Sequence, residues 1–361
     1  MVLQKTDSIK QIIESREGIH ISIYLKNRGD RADLKVQLMR NINKVRRCLR
    51  SAVSSNAAKE ILAPLYLLLD EDSLLEKIKG NIAIFRTKNI FNILSIPDSV
   101  TMDEQYVVAT TFHVKPLLRW LQWDENSLML VFGKKAASLY LVSQSSIDTM
   151  RAIRYSELLK CEDFEIDEKT IGSVTDWVHA VVGETSLKVF WAGDMNVAKK
   201  VFKKFRPTNL VAEPVALQVD DMDTFDFKTQ IKAALSAETE KSWERIIHEF
   251  QKADKLNLAQ KNFFQICKAA AQGKVKKLVL ADDITVFGKL DQKTGGLAIH
   301  PCHLDHEDDD ILDDLAQVVL NSGGEVYLLP RDKVPFKRSA VAIVSDYGFD
   351  SFVNLEVSRT V

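Results

Sequence analysis

The residues best equipped for chemistry stand together late in the chain. His300, Cys302, His303, Asp305, His306, Glu307, Asp308, Asp309 and Asp310 fall within one short run. Imidazole, thiolate and carboxylate are the common metal donors, so His300, Cys302, His303 and His306 are candidate metal ligands. Their spacing fits no structural zinc pattern, which needs paired Cys or His residues in two separated halves. The alternative is an acidic helix start. Glu307 to Asp310 suit a helix N-terminus, where carboxylates cap free amides and complement the dipole. An apolar-periodic segment, Ile311–Leu320, follows at once, and Asp313 and Asp314 carry the acidity into its first turns. No Gly-x-Ser-x-Gly elbow, Walker sequence, GxGxxG fingerprint or HExxH occurs, so no catalytic residue is assigned and no cofactor is expected. His113 stands beside aromatic residues and reads as structural rather than catalytic.

A second chemistry is phosphate recognition. Lys35, Arg40, Lys44, Arg46, Arg47 and Arg50 lie on the segment Ala32–Val53. Its apolar residues Leu34, Leu38, Ile42, Val45 and Leu49 recur at helical spacing. A second cluster, Lys199, Lys200, Lys203 and Lys204, is followed by Arg206. A third, Lys274, Lys276 and Lys277, precedes an apolar strand. Each could contact RNA phosphates. Each also has a plain structural reading: a solvated helix face, cations at a helix C-terminus, or a polar lead into a buried strand.

Lys+Arg number 49 against 50 Asp+Glu, a net charge of −1, so any nucleic-acid surface must come from local segregation of charge. A length of 361 residues implies two or three domains. Cys48, Cys161, Cys267 and Cys302 are scattered without a CxxC, which favours reduced thiols over a disulfide framework. The N-terminus lacks a signal-peptide pattern, and the apolar runs are too short to span a bilayer. The expectation is a soluble cytoplasmic protein that makes no membrane contact.

The elements that must position these residues alternate. Helices are predicted over 6–15, 32–53, 56–69, 116–121, 171–182, 195–205, 225–235, 238–254 and 311–320, and another beginning near Asn257 and ending at Gly273. Strands are predicted over 20–25, 81–86, 89–96, 106–111, 127–132, 137–142, 187–192 and 210–217, and at LVLA and EVYLLP. The stretch 143–170 reads as polar connection, Asp194 as a helix N-cap, and Ser236–Ala237 as a break between two helices. The tail 350–361 could add an edge strand. This order indicates an α/β protein.

Several stretches resemble a known family. SLMLVFGKKAASLYLV, LKVFWAGDMNVAKKVFKKF with NLVAEPVAL, KSWERIIHEFQKAD, NLAQKNFFQICKAAAQGKVKKLVLADDI and DDDILDDLAQVVLNSGGEVYLLP resemble the bacterial relatives of archaeal and eukaryotic peptide-chain release factors, a group that also resembles Pelota. The resemblance covers most of Ser127–Tyr347. It implies three domains: an N-terminal α/β domain at 1–124, a ribonuclease-H-like middle domain at 125–235 and an L7Ae/L30e-like α-β-α sandwich at 236–361. Release factors hydrolyse peptidyl-tRNA with a Gly-Gly-Gln loop, and no Gly-Gly-Gln occurs here. L7Ae-type proteins bind RNA through a Gly-x-Asn-Glu turn, where this chain has Asn257-Leu-Ala-Gln260. The resemblance therefore implies a non-catalytic factor with a translation-related role, associated with the ribosome or structured RNA. The alternatives are a metal-dependent enzyme with its site near His300–Asp310, and a scaffold that binds a protein partner.

Overall fold

In this computed structural model the described residues are 2–70, 80–97, 100, 102–123, 126–133, 135–144, 146–155, 167–216, 225–301 and 308–345. The chain divides into two compact units, one combining its N-terminal and C-terminal parts (1–96, 102–119 and 243–361), the other formed by 97–101 and 120–242. The whole is mixed α/β.

The first unit begins with α1 (Val2–Glu14), β1 (His20–Leu25), α2 (Arg31–Ala52) and α3 (Ser55–Asp70). Strands β2 (Asn81–Arg86), β3 (Phe91–Ile96) and β4 (Gln105–Ala109) complete an antiparallel sheet of order β3-β2-β1-β4. Asp30 caps α2 by accepting the Ala32 amide at 2.8 Å. The predicted stripe Leu34, Leu38, Ile42, Val45 and Leu49 is fully buried with Ile21, Ile23 and Leu25 of β1. Pro64 stands inside α3 and has no N–H to give the Glu60 carbonyl, four residues back. Arg86 supplies the missing donor: Nη2 reaches the Glu60 carbonyl at 3.1 Å, and Nε the Ile61 carbonyl at 2.9 Å.

β1 is buried on both faces. Alternation puts Ile21, Ile23 and Leu25 toward the helices and His20, Ser22 and Tyr24 on the opposite side. There Ser22 Oγ accepts the His113 amide at 2.9 Å, and the Tyr24 hydroxyl donates to the His113 carbonyl at 2.6 Å. Edge-on ring contacts His20–Phe112 (4.6 Å), Phe85–Phe112 (5.3 Å) and Tyr24–Phe85 (5.8 Å) fill the same side. α4 (Lys115–Trp123) follows.

The second unit is built on β5 (Ser127–Phe132), β6 (Ala136–Val142), β7 (Ile147–Arg154) and β8 (Val189–Gly193), in the order β7-β6-β5-β8. β5 and β8 are parallel and the other pairs antiparallel. α5 (Glu168–Val182) and α6 (Met195–Lys204) pack on one face. The first part of α7 (Phe225–Lys255) packs on the other through Phe227, Ile231 and Leu235. Gly193 has φ +98°, and a Cβ there would lie 2.1 Å from the Phe132 carbonyl oxygen, so glycine is required where β8 meets the end of β5.

The C-terminal part of the first unit holds β9 (Ala259–Gln260), α8 (Phe263–Ala271), β10 (Val275–Ala281), β11 (Phe287–Leu290), β12 (Leu297–Ile299), β13 (Asp309–Asp310), α9 (Ile311–Asn321), β14 (Glu325–Leu329) and β15 (Ala340–Val344). Its main sheet runs β14-β10-β15-β9, with β10 and β14 parallel. α8 and α9 share its core. No helix among the described residues is long and apolar enough to cross a membrane.

Four expectations are corrected. β7 lies inside the stretch read as polar connection; IDTMRAIR is an edge strand exposed along most of its length, so it lacks the apolar alternation that marks a half-buried strand. The strand predicted over 210–217 is reduced to single bridges, Val189 to Leu210 and Ala192 to Val215, around Pro214, and Leu217 is outside the described residues. The break at Ser236–Ala237 does not exist: α7 is continuous, since neither residue breaks a helix. The helix near Asn257 starts later, at Phe263, with Asn262 accepting the Gln265 amide. The tail 350–361 lies outside the described residues.

Candidate functional site

α2 presents the most exposed cationic surface among the predicted segments of the first unit. Its inner stripe fixes the helix's rotation, so Val36, Met39, Arg40, Arg46, Arg47 and Arg50 emerge on the outer side. Arg46, Arg47 and Arg50 are exposed and make no ion pair with another described residue. Val36 and Met39 continue the same face as exposed apolar side chains, 59% and 43% accessible. The rest of the predicted set divides. Arg40 is held by Glu104, with Nε donating to Oε1 at 3.0 Å and Nη2 donating to Oε2. Burial would raise the Glu104 carboxyl, but the Arg40 and Asn41 hydrogen bonds outweigh it and hold it below its ordinary value. Lys44 Nζ lies 5.3 Å over the Tyr106 ring, and Lys35 is half-buried.

In the second unit, Lys199, Lys200 and Lys203 are exposed on α6, while Lys204 is bound to Glu168 at 3.1 Å. Asp194 caps the helix as expected, accepting the Asn196 and Val197 amides at 2.7 and 3.1 Å. At the start of β10, Lys274 and Lys276 are exposed, but Lys277 Nζ stands 3.0 Å from Glu249 and 3.5 Å from Glu325. Arg40, Lys204 and Lys277 thus already have carboxylate partners.

The His/Cys/Asp run has a different outcome. His300 Nδ1 lies 2.8 Å from Asp308 Oδ1; Cys302, His303 and His306 are outside the described residues. Among the described residues no three His, Cys, Asp or Glu side chains are arranged to hold a metal. Asp310 caps α9, accepting the Leu312 amide at 3.2 Å.

Asp313 and Asp314, which continue the acidity into the first turns of α9, are buried. With Asp309 and Asp310 they close on residues 110–115. Asp313 accepts the amides of Val114 (3.0 Å) and Lys115 (2.6 Å) and so caps the start of α4 from a distant part of the chain. Asp310 Oδ2 accepts Lys115 Nζ at 2.6 Å, and the same ammonium donates to the Ile284 carbonyl at 2.6 Å. Asp309 accepts the amide and hydroxyl of Thr110, and Asp314 the Thr111 hydroxyl at 2.6 Å. Gln317 Nε2 donates to the Phe112 carbonyl at 2.7 Å, and its Oε1 accepts Arg16 Nη1 at 2.9 Å. Burial pushes Asp309 up to about 7, and burial followed by the Asp309 charge drives Asp314 well up. Burial also raises Asp313, against the pull of His113, whose Nδ1 is 3.6 Å away. The signal available in the sequence was the acidity of a helix that is otherwise mostly apolar.

No family model matches the chain, and no curated protein does. Among solved structures it is similar to an archaeal translation termination factor, at 12% identity and a TM-score of 0.26, covering 95% of this chain and 98% of that one. It is similar to archaeal Pelota in a model of ribosome-bound Pelota and ABCE1, at 12% identity and a TM-score of 0.40, covering 95% and 94%. It is also similar to Dom34 of S. cerevisiae, a translation termination-like factor, at 12% identity and a TM-score of 0.39, covering 95% and 92%. Release factors and Pelota are the groups the sequence resembles. TM-scores this low give these likenesses no weight in the functional argument.

Proposed function

We propose that the protein is a release-factor-like, non-catalytic factor that associates with the ribosome or with structured RNA in a translation-related role. The observation that carries this reading is the outer face of α2, where Arg46, Arg47 and Arg50 stand exposed without an ion-pair partner among the described residues. Guanidinium groups left in water are available for phosphate, which they bind with charge-assisted, often bidentate hydrogen bonds. Lys199, Lys200 and Lys203 on α6, with Lys274 and Lys276 at β10, extend the reading to further phosphate contacts. The sequence resemblance supplies the translation-related context. The missing Gly-Gly-Gln removes peptidyl-tRNA hydrolysis from that context.

Phosphate contacts release counterions, so binding must weaken steeply with salt. The test is co-sedimentation with ribosomes and binding to structured RNA at low and moderate salt, for wild type and for the triple variant Arg46→Glu, Arg47→Glu, Arg50→Glu. Wild type should bind at low salt, and the variant should bind much more weakly. Equal binding by both, or none by wild type at either salt, overturns the proposal.

A further inference from the structure

We propose that the contact between residues 110–115 and α9 is a proton-dependent clasp, in which retained protons hold the N-terminal sheet against the C-terminal α/β layer and their loss loosens it. The proposal stands apart from RNA binding and rests on what faces what. β13 brings Asp309 and Asp310, and α9 brings Asp313 and Asp314. The 110–115 segment and α4 bring His113 and Lys115, and Arg16 reaches in from beyond α1. β1 contributes Tyr24 and His20, the latter kept neutral by burial, which lowers it to about 4 against the opposing pull of the Gly18 carbonyl. Further along α4, Arg119 pairs with Asp282 at 3.6 Å; on the far side, Asp308 faces His300. Four buried or half-buried carboxyls therefore meet two permanent cations.

The hydrogen bonds show which carboxyl the cations serve. Asp310 is satisfied as an anion: Lys115 Nζ binds Oδ2, and the Val286 and Leu312 amides bind Oδ1. Asp313 has two amides and Gln317 Nε2. Asp309 receives the Thr110 hydroxyl and the Thr110 and Thr111 amides, and Asp314 the Thr111 hydroxyl, but neither has a cation within hydrogen-bonding distance among the described residues. Two buried carboxyls that face each other without a cation between them retain a proton instead of both standing charged. The direction of the Asp309 and Asp314 shifts agrees with this.

The folded clasp thus binds more protons than the unfolded chain over the range between the ordinary carboxyl value and about 7 or above. Stability conferred by these protons is complete below the ordinary carboxyl value, falls as pH rises above it, and has lost its Asp309 share once pH passes about 7. His20 acts in the opposite sense between about 4 and 6.5, and its contribution cancels when wild type is compared with carboxyl variants that keep it.

Hydrogen exchange of the full chain, read at the Thr110, Val114 and Lys115 amides and corrected for intrinsic rate, tests the proposal. Between pH 5 and 7, wild-type protection should fall relative to Asp309→Asn by up to ~10-fold per pH unit, and the difference should level off above about 7. The exposed Asp332→Asn should follow wild type throughout. An unchanged slope in Asp309→Asn overturns the clasp. Should Asp309→Asn not fold, Asp314→Asn takes its place, and carboxyl-carbon NMR of the wild type decides independently. A midpoint for Asp309 near 7 supports the proposal, and one near 4 refutes it.

Discussion

Two charged runs lie on helices of similar amphipathic design and meet opposite fates. On α2 the apolar stripe packs on the sheet, and the outer face keeps Arg46, Arg47 and Arg50 in water. On α9 the residues from Ile311 to Val319 are all buried, so Asp313, Asp314 and Gln317 lie inside with the leucines. A charged residue opposite an apolar stripe reads as solvent-facing only when nothing covers that side. Among the described residues α2 has no such cover over Arg46, Arg47 and Arg50. α9 has one, made of residues 110–115 and Arg16. The polar side of β1 follows the same logic: His20, Ser22 and Tyr24 alternate as a surface face should, yet are buried. Arg46, Arg47 and Arg50 of α2 therefore face outward, while the carboxyls of α9 are committed to holding the chain's own parts together.

Mutations should separate the two regions sharply. Asp313→Ala leaves the Val114 and Lys115 amides and Gln317 Nε2 without their acceptor. It should cost about 3–5 kcal/mol in urea unfolding; a loss under 1 kcal/mol would erase the contrast. Lys115→Met strips Asp310 of its ammonium and should cost about 3 kcal/mol by the same measurement. His20 sharpens the picture from the acid side. Its folded value, lowered by burial to about 4, lies below the unfolded value, so the unfolded chain takes up the proton first. The stability difference between wild type and His20→Gln should change by up to ~1.4 kcal/mol per pH unit as pH falls from about 6.5 to 4, wild type losing ground. A pH-independent difference would mean that His20 titrates alike in both states. Last, Arg46→Glu with Arg47→Glu and Arg50→Glu should leave the urea midpoint in place. In RNA binding the same variant should reduce the salt slope by about 3, one for each lost phosphate contact. An equal salt slope would place the contacts elsewhere.

Much of the fold was legible because local patterns and tertiary demands agree. The 3.6-residue repeat of α2 and the caps Asp194 and Asp310 need only neighbouring residues to be read. β7 was hidden because an exposed edge strand has no burial to write alternation into its sequence. The continuity of α7 was hidden because Ser236 and Ala237 were read as punctuation, although a helix carries both at little cost. In the candidate RNA surface, the sequence could name the cations but not subtract those already paired. Arg40 finds Glu104 across 64 positions, and Lys277 finds Glu249 across 28.

By itself, then, the sequence determined the alternation of helices and strands, the amphipathic set of α2 and the absence of a Gly-Gly-Gln loop, all of which depend on residues close in the chain. The tertiary structure decided which charges are free and which are enclosed. That depends on partners some 200 positions apart, such as Thr111 and Asp314, whose meeting leaves no periodic trace in the sequence. Burial and pairing, more than charge count, made one acidic helix a joint and left one basic helix a surface.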